Sequence, residues 1–304
     1  MRGVKFYKVF CSPEGMFIEV SLIFAFIAMI CWGFGDFFIQ RSVRKIGDLE
    51  SLALIGIIGS IALLPFVFRG VTNIFSPYNV GLLLILGIVT FIAAIFQFEA
   101  LKKGKISVVD VVIELELPLT IILGFIFFSE SLSISQIVVI SFIFIGIILI
   151  ALEHLDFKKH LQSFERGAFL ALISAIGMGF VNFLTAASSR QISPLMAIWF
   201  PWIIFTIISL IFIGKREGFR KFVKNIGKFK WLVLGMGIFD TLAWLSYAYA
   251  TTGAELAIIT AITESYPALA IFLGLWINKE KIGLHQYLGA LLAIGASILL
   301  AFVV

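Results

Sequence analysis

Charge is scarce in this chain. Only 13% of its 304 residues are charged, against about a quarter in an ordinary soluble domain. Hydrophobic residues reach 61% and mean hydropathy is +1.10. A soluble core of this size cannot hide that excess, so lipid must solvate much of the surface. Cysteine is nearly missing: Cys11 and Cys31 support neither a disulfide framework nor a cysteine metal site. The three histidines, His154, His160 and His285, are expected in loops, His285 at the very edge of the last apolar run. A membrane-embedded protease or lipid transferase would need a nucleophile with its base, or a His and acid metal set. No HExxH or GxSxG pattern occurs, and no GxxxxGK[ST] loop for ATP. No cofactor or metal is therefore expected, and an enzyme is the least favoured reading. The net charge of +5 does not indicate nucleic acid, because the cations sit in short connectors beside apolar runs.

What is present is length without charge. A span needs about 20 apolar residues to cross hydrocarbon. Ten such runs are found, at 17–40, 49–68, 79–101, 106–128, 133–152, 167–189, 193–213, 231–251, 255–277 and 283–303. The expected fold class is an all-α polytopic membrane protein, placed in the cell membrane. The basic segment 215–230 is expected to be a solvated loop beside anionic lipid headgroups. Arg2, Lys5 and Lys8 precede the first run in the manner of a signal peptide. The first run nevertheless has a counterpart later in the chain and should belong to the mature fold, with Met16 an alternative start.

That counterpart belongs to a repeat. Gly33-Phe34-Gly35-Asp36-Phe37-Phe38 returns as Gly179-Phe180-Val181-Asn182-Phe183-Leu184, and Arg44 and Ile46 return as Arg190 and Ile192. Gly104, Pro118 and Glu130 recur as Gly253, Pro267 and Glu280. The expected organisation is an N-terminal tail (1–15), a first five-helix repeat (16–152), a linker (153–165) and a second repeat (166–304). Five spans per half is odd, so the second copy enters the membrane inverted relative to the first. Of the 23 Lys and Arg, 18 fall on one side and 5 on the other. The positive-inside rule then puts both termini outside and segment 215–230 in the cytoplasm.

Acids, unlike bases, enter the predicted spans. Glu19, Glu99 and Glu255 lie near span ends, whereas Asp36, Asp110, Glu114, Glu116, Asp240 and Glu264 lie deeper. No Lys or Arg does. An acid near the bilayer centre costs about 2.5–3.5 kcal/mol, so it must face protein or a wet cavity. On a continuous helix Asp110 and Glu114 share a face that Glu116 leaves. Glu264 sits three residues before Pro267, much as Glu114 sits four before Pro118. Asp240, Trp244 and Tyr247 fall on one face of the eighth span. The candidate substrate- or proton-binding residues are thus Asp36, Asp110, Glu114, Asp240, Trp244, Tyr247 and Glu264, with Asn182 as the repeat mate of Asp36. A protonated acid acting as helix glue is the plain alternative for each. Pro65, Pro118, Pro201 and Pro267 are expected to kink helices, Pro118 and Pro267 symmetrically. Gly56, Gly59, Gly146, Gly289 and Gly295 should permit close packing. Glu130 and Glu280 should cap or tie helix ends.

With these residues in place the chain resembles the drug/metabolite transporter superfamily, in its ten-span EamA-type form. The resemblance rests on Trp32-Gly33, on Ala100-Leu101 before Gly104, and on Pro118 and Pro267. It also rests on Glu130 and Glu280, followed by Gln136 and Gln286. It implies a five-plus-five inverted fold with a cavity between the halves, and carriage of amino acids, metabolites, drugs or sugars, often outward. Such proteins commonly look N-in by charge, whereas this chain looks N-out. The expected function is secondary transport of a small-molecule solute by alternating access, with protons as candidate coupling ions and lipid as the surroundings. A cation channel or divalent-ion permease would suit the same acids.

Overall fold

In hydrocarbon a backbone N–H or C=O can be satisfied only within the protein, and a long apolar run does this as a helix. The computed structural model describes residues 13–67, 76–103, 112–151, 166–216, 219–273 and 283–303. Among these residues there are twelve helices and no strand. The first five are α1 (Pro13–Lys45), α2 (Asp48–Val67), α3 (Pro77–Lys103), α4 (Glu116–Phe128) and α5 (Ile134–Ala151). After the chain's midpoint come α6 (Arg166–Gln191), α7 (Pro194–Arg216), α8 (Phe219–Lys228) and α9 (Lys230–Ala250). The last three are α10 (Leu256–Thr263), α11 (Tyr266–Leu273) and α12 (Leu284–Val303).

Seven helices, α1, α2, α3, α6, α7, α9 and α12, are long and apolar enough to cross a membrane. Helices α4 and α5 and the α10–α11 pair are apolar but shorter. The expected spans 106–128 and 255–277 lie partly outside the described residues, and both are interrupted where they are described. Pro118 and Pro267 were expected to kink their helices; the chain instead breaks just before each. A proline lacks the N–H and crowds the carbonyl four residues back. Turn residues Glu114 and Leu115 precede α4, and Glu264 and Ser265 separate α10 from α11. Tighter bonds bridge both breaks, from Leu117 N–H to Glu114 O (3.3 Å) and from Ser265 N–H to Ile262 O (3.2 Å). Pro65 and Pro201 stay inside α2 and α7.

The strongest helix packings are α1 with α9, α3 with α6, α2 with α7, and α5 with α12. In the repeat register α1 corresponds to α6, α3 to α9, α2 to α7 and α5 to α12. Each of these pairings therefore maps onto itself or onto another of the set, as two similar halves packed face to face require. Glycine contacts repeat the pattern. A Cβ on Gly33 would stand 2.9 Å from the Leu269 side chain, and one on its mate Gly179 2.8 Å from that of Leu119. Gly56 and Gly59 sit against α7, and Gly146 and Gly289 against each other's helices. Gly295 departs from expectation: a Cβ there meets nothing within 4 Å.

Two large apolar clusters make up most of the interior, beside a small third around Ala100, Ile113 and Ala171. One gathers α2, α3, α7 and parts of α6 and α9 around Leu54, Leu86, Trp202 and Phe205. The other gathers α5, α10 and α12 around Ile143, Ile147, Ile259 and Leu300. Trp244 packs against both. Large apolar side chains such as Phe17, Ile134 and Leu291 remain exposed, which suits lipid rather than water. Segment 219–228 is a helix and not the expected loop. Phe219, Phe222, Val223 and Ile226 share one of its faces. Phe222 is buried in the first cluster while Phe219 and Val223 stay exposed.

Candidate functional site

Where the clusters meet, a cavity of about 100 Å³ opens between helices of both halves. That is room for several waters at about 10–15 Å³ each, or for a small solute group. Asp36, Glu116, Asp240 and Glu264 line it, and among the described residues no Lys, Arg or His does. Asn182, Trp32, Trp202, Trp244 and Tyr266 add to its polar and aromatic wall.

The arrangement follows from two short spacings. Trp32 and Asp36 lie one turn apart on α1, and Asp240 and Trp244 one turn apart on α9. Because α1 packs along α9, like residues come together. The Trp32 and Trp244 rings stand 5.1 Å apart at 85°, and Asp36 lies within electrostatic reach of Asp240. Gln40 donates to Asp36 from the next turn (3.4 Å). Trp202 adds a third indole at 6.0 Å from Trp244, and Tyr266 closes on Trp32 at 6.3 Å.

A second pair of acids comes from the two helix breaks. Glu116 starts α4 and Glu264 ends α10, and their carboxyl groups face each other with Asn182 beside Glu116. Glu114, buried at 5% exposure, lies within electrostatic reach of Glu264 but is not among the described lining residues. The expected assignment of faces is thus reversed for Glu114 and Glu116. The cause is the turn at residues 114 and 115, which resets the helical phase that the sequence argument had carried through. Tyr247 is fully buried, shares a hydrogen bond with Thr260 (3.0 Å) and packs on Trp32 and Trp244. It supports the wall without lining it. Asp110 lies outside the described residues. Thr90, Ala94 and Gln97 also line the cavity. Their spacing at i, i+4 and i+7 was the signal that could have found them.

Below this region a charged tie joins the halves. Ser129 ends α4 in a left-handed conformation (φ 54°). Glu130 follows and accepts from the Leu256 and Ala257 N–H groups (2.8 and 3.4 Å). It thereby caps α10, whose own N-cap residue gives no side-chain bond. Arg190 pairs with Glu130 at 2.9 Å and donates to the carbonyls of Thr251 and Ala254. Its guanidinium also lies 4.2 Å from the Phe128 ring centroid. Gln136 forms a capping box with Ser133, and Gln286 accepts from Gly283 N–H in the matching place. Glu280 lies outside the described residues. Replacing Glu130 by Gln leaves Arg190 without its counter-charge. The expected result is a loss of about 1–3 kcal/mol of stability, read as a lower unfolding temperature in detergent, with the solute affinity of surviving protein unchanged.

Helical halves around a polar cavity, within a chain of long apolar helices, are the architecture of a multi-pass membrane protein. The family model of the EamA-like transporter family matches residues 20–152 and again 165–302. The chain belongs to that family, a branch of the drug/metabolite transporter superfamily. It is also similar to an uncharacterized protein of Methanocaldococcus jannaschii, 25% identical over 138 residues, which is 45% of this chain and 100% of that relative. A relative matched over its whole length by less than half of this chain is what a duplicated architecture leads one to find. A crystal structure of a protein 15% identical to this chain superimposes with a TM-score of 0.75, covering 94% of this chain and 97% of its own. That likeness speaks for the fold alone.

Proposed function

We propose that this chain is a secondary transporter of the cell membrane that moves a small solute carrying positive charge by alternating access. The observation that supports this most is the cavity wall, with four acids from both halves and no base among the described lining residues. An anionic solute would meet only repulsion there, and a cationic group would be paired out of water. In this reading the ten apolar runs are ten spans, arranged as inverted repeats 16–152 and 166–304. Rocking of one half against the other opens the cavity to each side in turn. Glu116 and Glu264 are the candidate proton carriers, since two carboxyl groups in contact need a proton or a cation between them. A channel or divalent-ion permease is the second reading. Against a metal ion stands the absence, among the described residues, of three His, Cys, Asp or Glu side chains grouped to hold one.

Metabolite profiling of cells with and without the protein tests this reading. The solutes whose distribution changes should be cations, and Asp240→Asn should restore the pattern of cells lacking the protein. Anions as the only responding solutes would contradict it.

The charge asymmetry carries a further expectation, that both termini face outward and α8 faces the cytoplasm. A cysteine at exposed Lys224, in a chain with Cys11 and Cys31 replaced by Ser, should escape impermeant thiol reagents added outside intact cells. Ready labelling would reverse the orientation.

A further inference from the structure

We propose that the cavity is built for an organic ammonium ion, alkylated at nitrogen and carrying a hydrogen-bond acceptor, rather than for a bare metal ion. The assignment deepens the transport reading above and rests on it.

The paired Trp–Asp turns set the chemistry of the cavity. Asp36 and Asp240 supply the counter-charge, and the indoles of Trp32 and Trp244 stand one turn away on the same two helices. Those rings meet nearly at a right angle, and Trp202 crosses Trp244 at 72°. Rings set at right angles form corners instead of a flat stack. A corner of aromatic faces surrounds an alkylated ammonium group on more than one side and attracts it through the ring quadrupoles, most strongly where water is excluded. Inorganic cations gain little from such a wall. Potassium and magnesium give up a hydration shell that oxygen ligands must replace; the lining acids can supply oxygens, but the indole corner adds nothing for such an ion. An alkylated ammonium is weakly hydrated and brings apolar surface that the rings bury.

Asn182 carries the second part. It is 2% exposed and lines the same cavity. Its amide lies beside the Glu116 carboxyl, but its Nδ2 makes no bond of good geometry among the described residues. A buried amide donor so poorly satisfied is costly, and a hydroxyl or ether oxygen on the solute would complete its bonding. Asp36 and Asn182 are repeat mates, so one half offers a charge where the other offers a donor. That difference would seat an ammonium at one end of the cavity and an oxygen at the other. The same wall disfavours an amino-acid zwitterion, whose carboxylate would face Glu116 and Glu264 with no cation among the described lining residues to answer it.

The test is direct binding to the full-length protein in nanodiscs, followed by tryptophan fluorescence and calorimetry. The probes are choline, tetramethylammonium, potassium chloride, and dimethylbutanol, the neutral analogue of choline in which carbon replaces the nitrogen. Choline should bind and perturb the fluorescence. Dimethylbutanol and potassium should bind at least about 30-fold more weakly, and tetramethylammonium about 5-fold more weakly than choline. Trp32→Ala and Trp244→Ala should each weaken choline about 10-fold or more, while Trp244→Phe should retain most of the affinity and so separate a lost ring from a misfolded chain. Equal affinity for choline and potassium, equal affinity for the neutral analogue, or indifference to both ring deletions would each overturn the proposal. Choline that binds as expected but is not carried across proteoliposomes would leave the site standing and sink the transport reading. Potassium carried in place of choline would do the reverse.

Discussion

Asp240→Asn and Glu264→Gln are each expected to cut uptake of a cationic solute at least about 30-fold in proteoliposomes, with folding and insertion preserved. Both substitutions keep the side-chain shape and remove only the capacity for charge. The magnitude follows from the worth of a desolvated charge pair, about 2–5 kcal/mol, which corresponds to about 30-fold or more in affinity. Both acids are nearly enclosed, at 7% and 3% exposure, so the charge pair forms largely out of bulk water. The two variants should differ in one respect. Asp240 faces Asp36 and the indoles, so its loss should act mainly on solute binding. Glu264 faces Glu116, so its loss should also flatten the response of flux to pH. If both variants transport like the parent from about pH 5 to about pH 8, these acids are packing groups, and coupling through them is wrong.

The second large effect is on the fold. Gly146→Leu is expected to leave little folded protein, losing about 3 kcal/mol or more. A Cβ at Gly146 would lie 2.8 Å from both the Ala293 amide nitrogen and the Gly289 carbonyl oxygen. These are backbone atoms of a packed helix and cannot swing aside as a flexible side chain would. The reciprocal contact is equally close, since a Cβ at Gly289 would stand 2.7 Å from the Gly146 carbonyl. In lipid, helices associate by such close approach, because burying apolar surface gains nothing there. Gly295→Leu is the control, on the same helix α12 but facing open space. It should fold like the parent. Equal unfolding temperatures for both variants would show that the α5–α12 seam is not held by backbone contact.

Comparison of residues shows what the sequence made legible. Long apolar helices were plain because a crossing demands length, and the repeat was plain because Pro118 and Pro267 or Gly33 and Gly179 recur in register. The inference that acids without bases meet inside also found Asp36, Asp240, Glu264 and Asn182 together in one cavity. The face of Glu116 was misread, because helical periodicity carries no information across a break, and the break at Glu114 and Leu115 lies between the residues being compared. Trp202 and Tyr266 were not singled out. Each stands beside a proline in an apolar run, where an aromatic residue reads as core until the neighbouring helix is in place. Gly295 illustrates the same limit. A small residue in a span marks close packing only if a partner helix covers it, and the sequence does not say which side is covered.

The central claim is that the two halves carry a cationic solute by exposing one cavity to each side in turn. Counterflow measures this most directly. The purified protein is placed in vesicles, and entry of the labelled cation that profiling identifies is followed with and without the same unlabelled cation trapped inside. Alternating access predicts saturable entry that the trapped cation accelerates several-fold, because a loaded cavity returns faster than an empty one, and no steady current at fixed voltage beyond the charge carried per cycle. Entry that rises linearly with concentration, is indifferent to the trapped cation and is accompanied by a large conductance would contradict the account and assign the chain to the channels.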